Sequence, residues 1–193
     1  MALGAYSLGC FATGYYLVRM RTGLDIRELG SGSIGARNVG RVLGSIGFLV
    51  VLLGDLAKGA FAVWAAGHFT KDDRLVALAM LAVVAGHVWP VQLRFHGGKG
   101  IATSLGALLV YDYHLALAFI ILFVCAYAVL RKTVLPGLFA FACLPLVSVF
   151  LDQEHAKIVA MSVLAGIVLV AHRKNVMEEI WNLLERRNVH PKH

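Results

Sequence analysis

The residue types in this chain that could do chemistry fall in three short polar segments. The first is Gly30-Ser31-Gly32-Ser33-Ile34-Gly35-Ala36-Arg37-Asn38-Val39-Gly40-Arg41. Glycines and serines here run into what reads as a helix start. Glycine lets backbone N–H groups approach a ligand closely, and a helix N-terminus opened by such a loop makes an anion nest. Arg37 and Arg41 stand one helical turn apart, and Asn38 and Arg41 share a face. Together they predict a phosphate or carboxylate site; the bland alternative is a turn flanked by orienting arginines.

The second segment runs from Gly86-His87-Val88-Trp89-Pro90 to Phe95-His96-Gly97-Gly98-Lys99-Gly100-Ile101-Ala102-Thr103. A Gly-Gly-Lys-Gly loop ahead of an apolar helix is again a cradle of amides, with Lys99 to neutralise an anion. The G-x-x-x-x-G-K-[ST] spacing of a Walker loop is absent. The third segment is His172-Arg173-Lys174-Asn175. His172 and Asn175 lie three apart and face one way on a helix. A histidine there could handle a proton or donate to an oxyanion. Asp55 and Lys58 add an ionic pair on one face of an apolar stretch, read as an anchor near the site because isolated charge in hydrocarbon is costly.

These segments need elements to hold them, and the composition says which. The chain is 59% hydrophobic and 15% charged, against about 25% charged for an ordinary soluble domain. That predicts an all-α, polytopic membrane bundle forming a single domain over residues 1–193. The spans read as 2–20, 43–67, 74–92, 101–117, 113–130, 134–151 and 156–171: seven, with six as the alternative. A turn at Tyr111-Asp112-Tyr113-His114 would leave the fourth as a half-helix of about a dozen residues, tolerated only inside protein. The net charge of +7 reports orientation rather than nucleic-acid binding, since no aromatic-basic module accompanies it. Arginines and lysines at 19, 21, 27, 37, 41, 94, 99, 131, 132, 173, 174, 186, 187 and 192 gather on one face, leaving only Lys71, Arg74 and Lys157 opposite and Lys58 within a span. The basic face is then cytoplasmic, the N-terminus outside and the C-terminus inside. Residues 176–188 read as an amphipathic surface helix. Cys10, Cys125 and Cys143 read as packing residues, and no Cys/His spacing suits a metal.

Taken in order, the three segments resemble the motifs of the bacterial acyl-phosphate-dependent glycerol-3-phosphate acyltransferase family, over essentially the whole chain. The residues that carry it are Ser31 to Arg41, His87 to Pro90 with Gly97 to Thr103, and His172 to Val176. The Asp55 to Gly59 stretch is similar to the family's second span. The resemblance implies acyl transfer from an acyl phosphate to the 1-hydroxyl of sn-glycerol 3-phosphate, giving lysophosphatidic acid and phosphate. It implies phospholipid synthesis at the bacterial inner membrane, an active site facing the cytoplasm, no cofactor, and a functional link to an acyl-phosphate-forming enzyme. It places catalysis on His172, Asn175 and Ser31. It places substrate binding on Gly32, Ser33, Gly35, Arg37, Asn38, Arg41, Gly97, Gly98, Lys99, Gly100 and Arg173. Acyl phosphate is already activated, so either His172 or the acceptor's own phosphate could take the hydroxyl proton.

The chain departs from the family pattern in its third motif, where Glu178 and Glu179 stand in place of the basic residue and Gly-x-Glu that often follow and Glu185 is the candidate substitute, and at two positions of its first. Ser33 stands where the family has Asn, and Arg37 where it has Thr. Arg37 adds a full charge beside the first nest, which keeps a different phosphorylated acceptor, or a non-catalytic lipid-phosphate-binding role, as alternatives. A transporter of organic phosphates is a further class. It would need polar residues continuing across the membrane, and only Asp55 and Lys58 are charged within a span.

Overall fold

The computed structural model describes residues 1–174, 176, 177 and 181, and among these every regular element is helical. The helices are α1 (Ala2–Cys10), α2 (Thr13–Thr22), α3 (Ala36–Phe69), α4 (Asp73–Val88), α5 (Ile101–Tyr111), α6 (Tyr113–Leu130), α7 (Val134–Phe150) and α8 (His155–Ala171). Short 3₁₀ turns at Ile26–Glu28 and Val91–Leu93 sit in the connections that carry the first two polar segments. Three stretches are long and apolar enough to cross a membrane alone: Ala36–Phe69, Asp73–Leu93 and Tyr113–Leu130. Residues 176–188, expected as a surface helix, lie largely outside the described residues.

The structure corrects the first span. Residues 2–20 are two helices, broken where Phe11 and Ala12 leave helical geometry. A break at membrane depth exposes carbonyls that lipid cannot satisfy. Here the Phe11 carbonyl accepts from the Lys58 ammonium at 2.9 Å, and the Cys10 carbonyl accepts from the Gln92 amide. The second span also differs from a plain rod. Gly44 sits at φ 75°, ψ −168° inside α3, a left-handed, extended combination open to glycine. It separates a short N-terminal helix carrying Asn38 and Arg41 from the long span that follows.

The expected half-helix is present as α5, 11 residues long and so only about 16 Å. Asp112 alone separates it from α6, and its carboxylate caps α6 by accepting from His114 N at 3.1 Å and Leu115 N at 3.4 Å. Its other oxygen accepts from Lys157 at 3.2 Å. These residues mark one end of the bundle.

α4 is the central element, packing against α1, α3, α5 and α8. In the most apolar 18-residue window of Asp73–Leu93, which contains α4, 56% of residues are buried, against 17% in α6, which therefore runs along the outside. Met80, Val83, Leu108, Leu115, Phe141, Met161 and Leu164 form the core between them. The α3–α5 contact is backbone to backbone: a side chain at Gly59 would strike the Thr103 carbonyl, and one at Gly106 the Leu56 carbonyl. Cys125 points outward from α6, so it is not the packing residue expected of it.

Candidate active site

The first segment is organised by its own asparagine. Asn38 is 2% exposed on the first turn of α3. Its Nδ2 donates to the carbonyls of Leu29 and Ser33, both at 2.9 Å, and its Oδ1 accepts from Ser31 N at 2.9 Å. One amide thus holds the loop closed from both sides. Ile26, Ile34, Val39 and Val18 form a small apolar floor beneath it. Ser33 Oγ accepts from Gly35 N at 3.3 Å, shaping the last turn before the helix. Ser31, Arg37 and Arg41 remain exposed, while Gly32, Ser33 and Gly35 are half-buried. Asn38→Ala leaves loop amide and carbonyl groups without partners, at about 1–3 kcal/mol for each that stays dry. The expected result is a lower melting temperature in detergent together with a raised KM for substrate; an unchanged melting temperature would refute this role.

Arg27 joins the first segment to the second. Asp25 caps the 3₁₀ turn and pairs with the Arg27 guanidinium at 2.6 Å, whose hydrogen bond holds the Asp25 carboxyl below its ordinary value. Arg27 lies over the Tyr15 ring at 5.4 Å, and its Nη1 donates to the Leu93 carbonyl at 3.1 Å. The sequence placed Arg27 only among the orienting charges. The Asp-x-Arg spacing at 25–27 was the available signal.

The second segment is pinned to the end of α4. Gly97 N donates to the Val88 carbonyl at 3.1 Å and Gly98 N to the His87 carbonyl at 3.0 Å. A side chain on Gly98 would collide with the His87 ring at Nε2, so the loop lies flush on that imidazole and only glycine fits. Arg94 and Phe95 just before it hold φ of 53° and 62°. Such left-handed backbone in non-glycine residues is unfavourable. It is over-determined here by Phe95 N donating to Pro90 O at 3.0 Å and His96 N to Leu93 O at 3.1 Å. Gly100 then opens α5, and Lys99 stays half-buried between them.

The third segment meets the second. His172 is 2% exposed at the end of α8, and its Nδ1 lies 2.8 Å from the Val168 carbonyl. A carbonyl can only accept, so Nδ1 carries the proton and Nε2 is left with its lone pair. Burial pushes the imidazole below its ordinary value against the opposing pull of the Val168 hydrogen bond, and the nearby Lys99 cation adds to the push. His172 is therefore a neutral acceptor at neutral pH, beside a cation on a glycine loop. Arg173 is exposed and its Nη1 turns back to the Val170 carbonyl at 3.2 Å. Asn175 lies outside the described residues.

All three segments are thus gathered at the end of the bundle opposite Asp112 and Lys157. The second and third are neighbours through Lys99 and His172, and the first is tied to them through Arg27. Two fully buried hydroxyls on the first turns of α5, Thr103 and Ser104, have no hydrogen-bond partner among the described residues.

Known proteins resemble this chain over most of its length. The glycerol-3-phosphate acyltransferase family model matches residues 1–182. A glycerol-3-phosphate acyltransferase 1 of Desulfitobacterium hafniense is 44% identical over 187 residues, 97% of this chain and 93% of its own length. A glycerol-3-phosphate acyltransferase of Parasynechococcus marenigrum is 41% identical, covering 91% of this chain and 82% of its own. A crystal structure of PlsY (YgiH), an integral membrane glycerol 3-phosphate acyltransferase in its glycerol 3-phosphate form, superposes with a TM-score of 0.86 at 28% identity, covering 94% of this chain and 90% of that one. Its lysophosphatidic acid form gives a TM-score of 0.83. This multi-pass helical membrane protein belongs to the glycerol-3-phosphate acyltransferase family.

Proposed function

We propose that this enzyme transfers a fatty acyl group from an acyl phosphate to the 1-hydroxyl of sn-glycerol 3-phosphate. The products are lysophosphatidic acid and inorganic phosphate. The observation that carries the reading is the pairing of a buried neutral His172, its Nε2 lone pair unprotonated, with Lys99 on a glycine loop. Both substrates are phosphates, and the chain presents two glycine-rich loops at one end of the bundle. The names of the relatives supply the acceptor, and the membrane setting suits a donor carrying an acyl chain.

The chemistry is short. His172 Nε2 accepts the proton of the acceptor hydroxyl as its oxygen attacks the acyl carbonyl carbon. The carbon–oxygen bond to phosphate then breaks and phosphate leaves with its electron pair. The loop amides at 97–100, with Lys99, hold phosphate as its charge grows. Arg41 and the first loop hold the second phosphate, with Ser31 at the loop edge and Asn38 as the residue that shapes it. Asn175 shares the acceptor with His172 on this reading. The donor is activated already, so holding the two substrates in line supplies much of the rate.

The three segments face the cytoplasm of the bacterial cell, with the N-terminus outside, on the strength of the lysine and arginine asymmetry. The whole of 1–193 acts as one domain and works beside an enzyme that makes acyl phosphates. The test is an acceptor screen with palmitoyl phosphate as donor. Purified protein is expected to release phosphate and form lysophosphatidic acid with glycerol 3-phosphate. Release without acceptor, or turnover only with another phosphorylated alcohol, would overturn the assignment. The second outcome would point to Arg37, the charge that stands where the family has Thr.

A further inference from the structure

Lys58 lies inside α3, 29 residues from His87 in sequence, yet the two share a buried polar centre. Its ammonium donates to Asp55 Oδ1 at 2.8 Å, to the Phe11 carbonyl at 2.9 Å and to His87 Nδ1 at 2.8 Å. An ammonium has three protons and no lone pair, so each partner must accept. His87 Nδ1 is therefore the acceptor nitrogen, and the ring proton sits on Nε2. His87 Nδ1 also lies 3.5 Å from Asp55 Oδ1, a longer contact than either makes with Lys58. The Nε2 edge is the edge on which Gly98 rests. The carbonyls of His87 and Val88 receive the amides of Gly98 and Gly97.

We infer that Asp55, Lys58 and His87 form a positioning unit for the 97–100 loop. Lys58 fixes the rotation and tautomer of His87, and the fixed imidazole is the floor that sets where Gly98 and Lys99 present themselves to an anion. None of the three touches substrate. A buried charge pair that only joined helices would have no need of the imidazole, and α3 could be anchored to α1 by the Phe11 carbonyl alone. The imidazole extends the contact from α3 to the loop.

The inference rests on the phosphate-binding role proposed for the loop, and its test separates the two. Lys58→Met keeps the stem and removes the donors. Kd for inorganic phosphate, followed by thermal shift against phosphate concentration, is expected to rise about tenfold in this variant, and KM for one phosphate substrate with it. Lys58→Arg, which keeps donors and charge, is expected to recover part of the loss. A folded Lys58→Met protein with phosphate Kd and both KM values within twofold of the starting enzyme would overturn the unit as a positioning device, leaving a structural pair. If Lys58→Met does not fold, the pair Gly98→Ala and His87→Ala decides. The added methyl collides with the ring, so the double variant is expected to lose clearly less phosphate binding than the two single losses combined. Purely additive losses would overturn the inference. Absence of acyl transfer by the unaltered enzyme counts against the proposed function, whereas the phosphate comparison still decides the role of Lys58.

Discussion

Replacing His172 with alanine is expected to lower kcat by roughly 10²–10⁴-fold, the range that a positioned general base contributes. KM should change little, because the phosphates are held by the loops. The pH dependence sharpens this. A histidine titrates near 6.5 when unperturbed. Burial, helped by the Lys99 cation, lowers His172. The neutral, working form then prevails at neutral pH, and activity falls only as pH drops through a value below 6.5. Plots of kcat against pH for the enzyme should show that acid limb, and His172→Ala should lose it. An acid limb that survives the substitution, with kcat down by less than tenfold, would give the proton to the acceptor's own phosphate instead.

Removing Lys99 is the second large change. Lys99→Ala is expected to raise KM for a phosphate substrate roughly 10- to 100-fold, as loss of a charged hydrogen bond of about 1.5–3 kcal/mol would do. It should also do something that a simple binding residue would not. The Lys99 cation is one of the causes that lower His172, so its removal lets the imidazole rise, and the acid limb of kcat moves to higher pH. Arg41→Ala offers the control: it too should raise KM, but Arg41 has no part in the causes acting on His172, so the acid limb should stay in place. Equal pH profiles for Lys99→Ala and the unaltered enzyme would separate Lys99 from His172. Near-normal KM in both variants would refute the anion-site assignment.

The helical membrane architecture was legible because it depends on composition over long stretches. The half-helix at 101–111 was legible too, since Asp112 is a strong local stop. The gathering of Gly30 to Arg41, Gly97 to Gly100 and His172 at one end followed from charge asymmetry and motif order. What stayed hidden depended on contacts distant in sequence. The break at Phe11 and Ala12 carries no proline and no local signal; Lys58 and Gln92 make it tolerable from 47 and 82 residues away. Gly44 was one glycine among 20, and only its φ shows that it divides α3. His87 was visible as part of a motif but had no role, because its partners Lys58 and Gly98 come from a different helix and a loop. Asn38, which the motif assigns to substrate binding, also holds the loop itself. Both of its N–H groups and its oxygen are engaged by the loop, an arrangement that spacing alone does not reveal.

The interrupted first span has a consequence for the order in which the chain assembles in the bilayer. Its unpaired carbonyls at Cys10 and Phe11 are answered by residues synthesised much later. Until Lys58 has entered the membrane and the 91–93 turn has followed α4, lipid offers those carbonyls nothing. The emerging N-terminal segment should therefore first settle as one continuous helix and bend afterwards, when α3 and α4 dock. Nascent chains arrested before residue 58 would hold it straight, and those arrested beyond residue 93 would hold it broken. A spectroscopic ruler between Leu3 and Met20 would read a longer span in the first set than in the second.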